Sequence, residues 1–126
     1  MAYGDIGGTV TELVITCRTP DSGPVSIRRG DALVLAGPYT VTNAATAEDP
    51  VFGQAMADCN RNGAGIPVRL RGICQFPYTG AAPAVDGLTG VVCAGAGGAV
   101  KAPESGAGTG LALKTESAAR TVDVLL

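Results

Sequence analysis

Histidine is absent from this chain, and so is tryptophan. Without His the usual general base is missing, and Ser-His and Cys-His nucleophile pairs are excluded. With only two Phe and three Tyr, few rings are available for bases to stack on, so Val, Leu, Ile and Ala must fill any core. Positive charge is scarce too. Nine Lys and Arg against eleven Asp and Glu give a formal charge of −2, the wrong sign for a nucleic-acid partner. The basic residues are scattered apart from the pairs Arg28-Arg29 and Arg69/Arg71. Such pairs are more often a solvated strand face or a carboxylate contact than a phosphate site. Cys17, Cys59, Cys74 and Cys93 contain no C-x-x-C spacing, which argues against a metal site, and no cofactor is implied. Cys74 and Cys93 lie in apolar strand patterns and read as buried free thiols. The even count leaves disulfides open, but a cytoplasmic origin argues against them. The start MAYGDIGG has neither the basic region nor the apolar run of a secretory signal. No apolar run approaches a membrane span, and the uncharged stretch 87–100 is full of Gly.

What is present is punctuation. Nineteen Gly and eight Pro in 126 residues favour many short strands and tight turns over helices. The length suits one domain, and folding should hide roughly two-thirds of the unfolded chain's surface. The most patterned stretch is Gly63–Gly80, GAGIPVRLRGICQFPYTG. Ile66, Val68, Leu70, Cys74 and Phe76 alternate with Arg69, Arg71 and Gln75, the period of a strand with one buried and one wetted face. Pro67 lacks an N–H, which predicts a sheet edge or a bulge near the strand's start.

Residues 1–24 differ from the rest. Tyr3, Ile6, Val10, Leu13 and Ile15 are dispersed among Gly, Thr and Asp before the break Thr19-Pro20-Asp21-Ser22-Gly23-Pro24. Thr11–Arg18 can form a strand. The first ten residues have too little apolar content to fold alone, which leaves a frayed terminus or an arm that orders on a neighbour. Residues 1–16 are expected to form an extended arm contacting a neighbouring subunit. From Val25 strands follow one another: Ala32–Ala36, a Gly37-Pro38 turn into Tyr39–Asn43, Val51–Ala57, the 63–80 stretch, Gly90–Ala94, Ala99–Ala102, Thr109–Lys114 and Arg120–Leu126. The predicted class is therefore all-β, a small Gly-rich barrel or sandwich over 25–126 with an extended N-terminal arm over 1–24.

An overlay of the chain on itself hints at two similar halves, about 25–80 and 81–126. Gly30 falls on Gly87, Val34 on Val91, Gly53 on Gly110 and Ala55 on Ala112; with one loop shortened, Val68 falls on Val122 and Leu70 on Val124. Gly53 and Gly110 would then mark bulges or close approaches of another backbone. Chemistry is thin. A carboxylate pair would have to come from Asp31, Asp86, Asp123, Glu48, Asp49 or Glu104, and most of these sit where Asp caps turns. Gly106–Gly110 lacks the Lys and helix of a phosphate loop. Cys59, beside Arg61, is the one plausible thiol nucleophile and a poor one.

Val68-Arg69-Leu70-Arg71-Gly72-Ile73-Cys74-Gln75-Phe76-Pro77 resembles the signature strand of a family of small tailed-phage capsid cement (decoration) proteins. Gly30-Asp31-Ala32-Leu33-Val34 is similar to its early G-D-x-V strand, Phe52-Gly53-Gln54-Ala55-Met56 to its G-x-A segment, Val85-Asp86-Gly87 to its mid-chain turn, and Thr121–Leu126 to its alternating terminus. Two departures are visible. Val91-Val92-Cys93 replaces an aromatic pair often found there, and residues 1–24 are longer than the pattern. The resemblance implies a non-enzymatic β protein of the virion, made in the bacterial host cytoplasm, that binds the major capsid protein on the outer head surface. It implies no nucleic-acid or membrane partner and no metal. Self-association as trimers at three-fold positions is favoured, with dimers and monomers as alternatives. The contact residues expected on either the capsid or a sister subunit are Tyr3, Ile6, Val10, Leu13, Arg28 and Arg29. The alternatives are another virion piece, such as a head-fibre or spike base or a tail component, and a small carbohydrate- or nucleic-acid-binding barrel.

Overall fold

A computed structural model describes residues 12–126, and among these every regular element is a strand. The first five are β1 (Leu13–Arg18), β2 (Ala32–Gly37), β3 (Thr40–Thr42), β4 (Gly53–Ala55) and β5 (Gly65–Arg71). They close into a barrel in the order β1-β3-β2-β4-β5. β6 (Ile73–Pro77), β9 (Leu111–Glu116) and β10 (Thr121–Leu125) form a second sheet in the order β6-β10-β9, and β7 (Val92–Cys93) pairs with β8 (Val100–Lys101).

The patterned stretch proves to be two strands in two sheets. Gly72 holds φ at 120°, a conformation that side chains disfavour, and there the chain leaves the barrel for the second sheet. Because a single residue intervenes, the alternation survives the crossing. Ile66 and Val68 point into the barrel core with Cys17, Leu33 and Val41. Cys74 and Phe76 point into a second core with Val91, Val100, Val122 and Val124. Leu70 packs against the barrel core only partly buried. The seam between the cores thus falls at Gly72 rather than near residue 80.

Pro67 is neither at a sheet edge nor at a bulge: it lies in β5, which pairs with β1 and β4 in the closed barrel. The Pro67 carbonyl accepts from Met56 N at 3.0 Å, so its backbone faces β4. A strand residue points its N–H and C=O to the same side, so the missing donor lies where β4 ends at Ala55.

A second expectation needs correction. Leu13–Thr16, assigned by sequence to the N-terminal arm, belong to a barrel strand. β1 pairs antiparallel with β5 from Leu13↔Arg71 to Arg18↔Gly65. The short alternation Leu13, Ile15, Cys17 is enough to seat it, with Cys17 buried at the inner end. Tyr3, Ile6 and Val10, with the rest of residues 1–11, lie outside the described residues.

Candidate interaction surface

The two arginines picked out by sequence sit in the turn leading into β2, and the turn is held by buried chemistry. Asp31, 7 % exposed, accepts from Arg28 N at 2.9 Å and from Asn43 Nδ2 at 2.9 Å. Asn43 Nδ2 also reaches Ser26 O at 2.8 Å, and Arg29 N donates to Asp58 Oδ1 at 2.7 Å. The backbone is thus fixed while the Arg28 and Arg29 residues stay exposed. Among the described residues neither guanidinium has an ion pair.

Arg28 and Arg29 overlook a groove of about 820 Å³ between the barrel and the second sheet, floored by Gln75, Pro77 and Thr121. A depression of about 440 Å³ continues from Gln75 toward Arg69 and Asp123, and one of about 120 Å³ continues toward Lys114 and Glu116. Gln75 lies where all three meet. Alternation places Gln75 and Arg69 on a wetted face. It carried no sign that two sheets would fold that face into a channel. Leu13, the remaining described contact candidate, is far along the chain at the open end of β1 and 47 % exposed; it does not line this groove.

Most of the candidate acids are engaged in holding loops. Asp86 accepts from the Leu88 and Thr89 backbone and from the Thr89 hydroxyl, and these hydrogen bonds hold its carboxyl below the usual range. Asp49 Oδ2 accepts from Thr46 N at 3.0 Å. Glu48 joins Lys101 Nζ at 2.9 Å and accepts from Glu104 N at 2.7 Å. Asp123 meets the Gln75 amide at 3.3 Å. Among the described residues no cluster of three or more His, Cys, Asp or Glu could hold a metal. All four cysteines are free thiols, three of them buried, and burial raises the Cys17, Cys74 and Cys93 thiols above their ordinary range. Cys59 is half-buried, with Sγ 3.7 Å from Arg61 O.

Set against known proteins, the chain matches no protein-family model and has no significant match among curated proteins.

Proposed function

We propose that this protein is a capsid cement protein: a non-enzymatic β module that binds the outer face of a tailed-phage head and braces the shell. The observation that carries the reading is the ordered set of motifs from Gly30 to Leu126, laid on an all-β frame. The frame supports it in a second way. Asp49, Asp86 and Glu48 are tied into turns, while Arg28 and Arg29, without an ion pair among the described residues, stand over a long groove. Unpaired guanidiniums on a rigid turn suit carboxylates on a neighbouring subunit better than they suit chemistry. The partner is the major capsid protein, and the protein works on the virion surface. Self-associating copies that bridge several shell subunits gain effective concentration, so weak individual contacts add up to a firm hold.

The test is co-sedimentation with empty phage heads. Saturation at a copy number set by shell symmetry is the expected result, with Arg28→Glu/Arg29→Glu weakening it at least tenfold. A few copies per particle would instead make the protein a tail, fibre or spike piece. Indifference to heads, with binding to a glycan or oligonucleotide, would replace the proposal altogether.

A further inference from the structure

Of the asparagines Asn43, Asn60 and Asn62, only Asn62 is followed by glycine. Gly63 has no Cβ, so its backbone nitrogen is open to the neighbouring carboxamide, the arrangement in which an asparagine can close on its own chain. The pair sits on the exposed loop before β5, and Gly63 holds φ at 61°, in the left-handed region. Nothing in the proposed surface role makes use of it.

In the folded chain the pair is clamped. Asn62 Nδ2 donates to Pro20 O and to Gly23 O, both at 2.9 Å. With two carbonyls as neighbours, only the nitrogen end of the carboxamide can face them. Gly63 N, the atom that would attack, donates to the same Pro20 O at 3.0 Å. Thr19, fully buried, completes the clamp. Its hydroxyl donates to Arg61 O at 2.6 Å and accepts from Ala64 N at 2.9 Å, while Thr19 N donates to Ala64 O at 2.9 Å. The donors that ring closure must free are thus all held by the loop that follows β1.

The clamp stands where the barrel closes. Arg18, next to Thr19, is the residue at which β1 meets both of its neighbours. It pairs with Gly65 of β5 and with Thr40 of β3, and Arg18 N donates to Tyr39 O at 2.8 Å. The loops 19–23 and 61–64 carry that junction on beyond the last ladder pair. Parting them frees the end of the β1–β5 ladder and, with it, the seam to β3.

We propose that Asn62 is a modification site, at which deamidation releases this seam in one direction only. When the clamp opens, Gly63 N gives up its proton and attacks Asn62 Cγ. The new N–C bond closes a succinimide ring, the Cγ–Nδ2 bond breaks, and ammonia leaves carrying the proton. Water then adds to one of the two ring carbonyls, breaks its bond to the ring nitrogen and returns a proton to that nitrogen. Aspartate or isoaspartate is left at position 62. The product cannot rebuild the clamp, because it has no donor for Pro20 O or Gly23 O and sets a negative charge against both. A second acid is already close: Asp21 Oδ1 lies 3.4 Å from where a Cβ on Gly63 would stand. The closed loops shield the bond, and once it has reacted they are barred from closing.

The chemistry needs no partner and stands apart from the capsid reading. The test incubates the full chain at mildly alkaline pH, folded and in urea, and follows the NH2-to-OH mass change by peptide mapping. Conversion at Asn62 should be at least tenfold slower in the folded chain, because only the locally open fraction reacts. Thr19→Val keeps the side chain's shape and removes two of the clamp's hydrogen bonds. It should convert faster than folded wild type, with its melting temperature showing that it remains folded. Asn62→Asp carries the product's carboxylate from the start and gives an independent reading. Its Arg18, Thr19, Gly63 and Ala64 amides should exchange hydrogen at least tenfold faster than in wild type, while those of Val122 and Val124 keep their protection. Equal rates folded and in urea, a folded Thr19→Val that converts no faster than wild type, or wild-type protection of those four amides in Asn62→Asp would each overturn the proposal.

Discussion

The side-chain amide of Gln54, in β4, donates to the backbone carbonyl of Gln75, in β6, at 2.6 Å. The same nitrogen lies 3.4 Å from Gly30 O. Gln54 is only 6 % exposed, so this one group ties the barrel to the second sheet beneath the groove that Gln75 floors. Replacing it with Met keeps the volume and removes the donor. The expected loss is about 1–3 kcal/mol, the cost of a buried carbonyl left without a partner. It should be measured by urea unfolding. The NMR signals around Gln75 should shift while those of β1 and β3 stay in place. Unchanged stability would mean that water replaces the amide without penalty.

A second tie crosses between loops of the two halves. Glu48 holds φ at 76°, unusual for a residue with a side chain, and three contacts keep it there. Its N–H meets Cys93 O at 3.0 Å, and its carboxylate holds Lys101 Nζ and Glu104 N. The Lys101 hydrogen bond, then that of Glu104, draws the Glu48 carboxyl below its ordinary 4.5. A carboxyl depressed by folding stabilises above its unfolded value, and the effect fades as pH falls through the folded value. Wild type should therefore exceed Glu48→Gln in melting temperature at pH 6, with the gap closing as the pH is lowered below 4.5. A gap that stays constant with pH would assign the effect to shape alone. Lys101 is shifted upward from 10.5, chiefly by Glu48, so its share should be lost only in strong alkali, above that value.

The suspected repeat has a structural counterpart, with an altered register. A Cβ on Gly53 would lie 2.7 Å from both Arg69 O and Val68 Cγ1, and 3.0 Å from Leu70 Cδ2. A Cβ on Gly110 would lie 2.5 Å from Leu125 O, 2.9 Å from Val124 Cγ1 and 3.2 Å from Leu126 Cδ2. The same three-residue cradle meets each glycine. Ladder pairs correspond as well: Gln54↔Arg69 and Ala55↔Val68 match Leu111↔Leu125 and Ala112↔Val124. Gly53→Ala should destabilise by about 1–3 kcal/mol through overpacking. Gly110→Ala should cost more, because its φ of 62° adds backbone strain to the clash. Equal, negligible losses in chemical denaturation would show that both strands can slide apart freely.

The same comparison marks how far sequence reaches here. The two glycines were legible because only close backbone contact makes Gly useful inside a strand pattern. The strand equivalences were not. Overlay by residue type set Val68 on Val122, whereas the ladder sets it on Val124, because identical apolar residues at period two allow a slip of two at no cost in pattern. Phe76, Cys74, Val122 and Val124 could be placed inward from alternation alone. The change of sheet at Gly72 could not, since it leaves the alternation intact. The groove was hidden for a related reason: Arg28, Arg29 and Gln75 meet through packing between sheets, which no local pattern encodes. The strand over Leu13–Arg18 was legible, but it was assigned to an arm because it sits in a stretch poor in apolar residues, and the long-range pairing with β5 supplies the stability that composition did not advertise.

Thiol chemistry provides a last check on the packing. Cys17, Cys74 and Cys93 are at most 2 % exposed, whereas Cys59 is half-buried in a loop. Burial, with a contribution from the Asp49 charge, pushes the Cys93 thiol up to about 11. At mildly alkaline pH it is therefore both inaccessible and protonated, and the thiolate is the reactive form. An excess of a disulfide reagent should modify one thiol per native chain rapidly, at Cys59, and the remaining three only at the rate of unfolding. Cys59→Ser should abolish the fast phase, and urea should release all four. Rapid native labelling at Cys74 or Cys93 would mean that the second core opens far more readily than its close packing of Phe76, Val122 and Val124 allows.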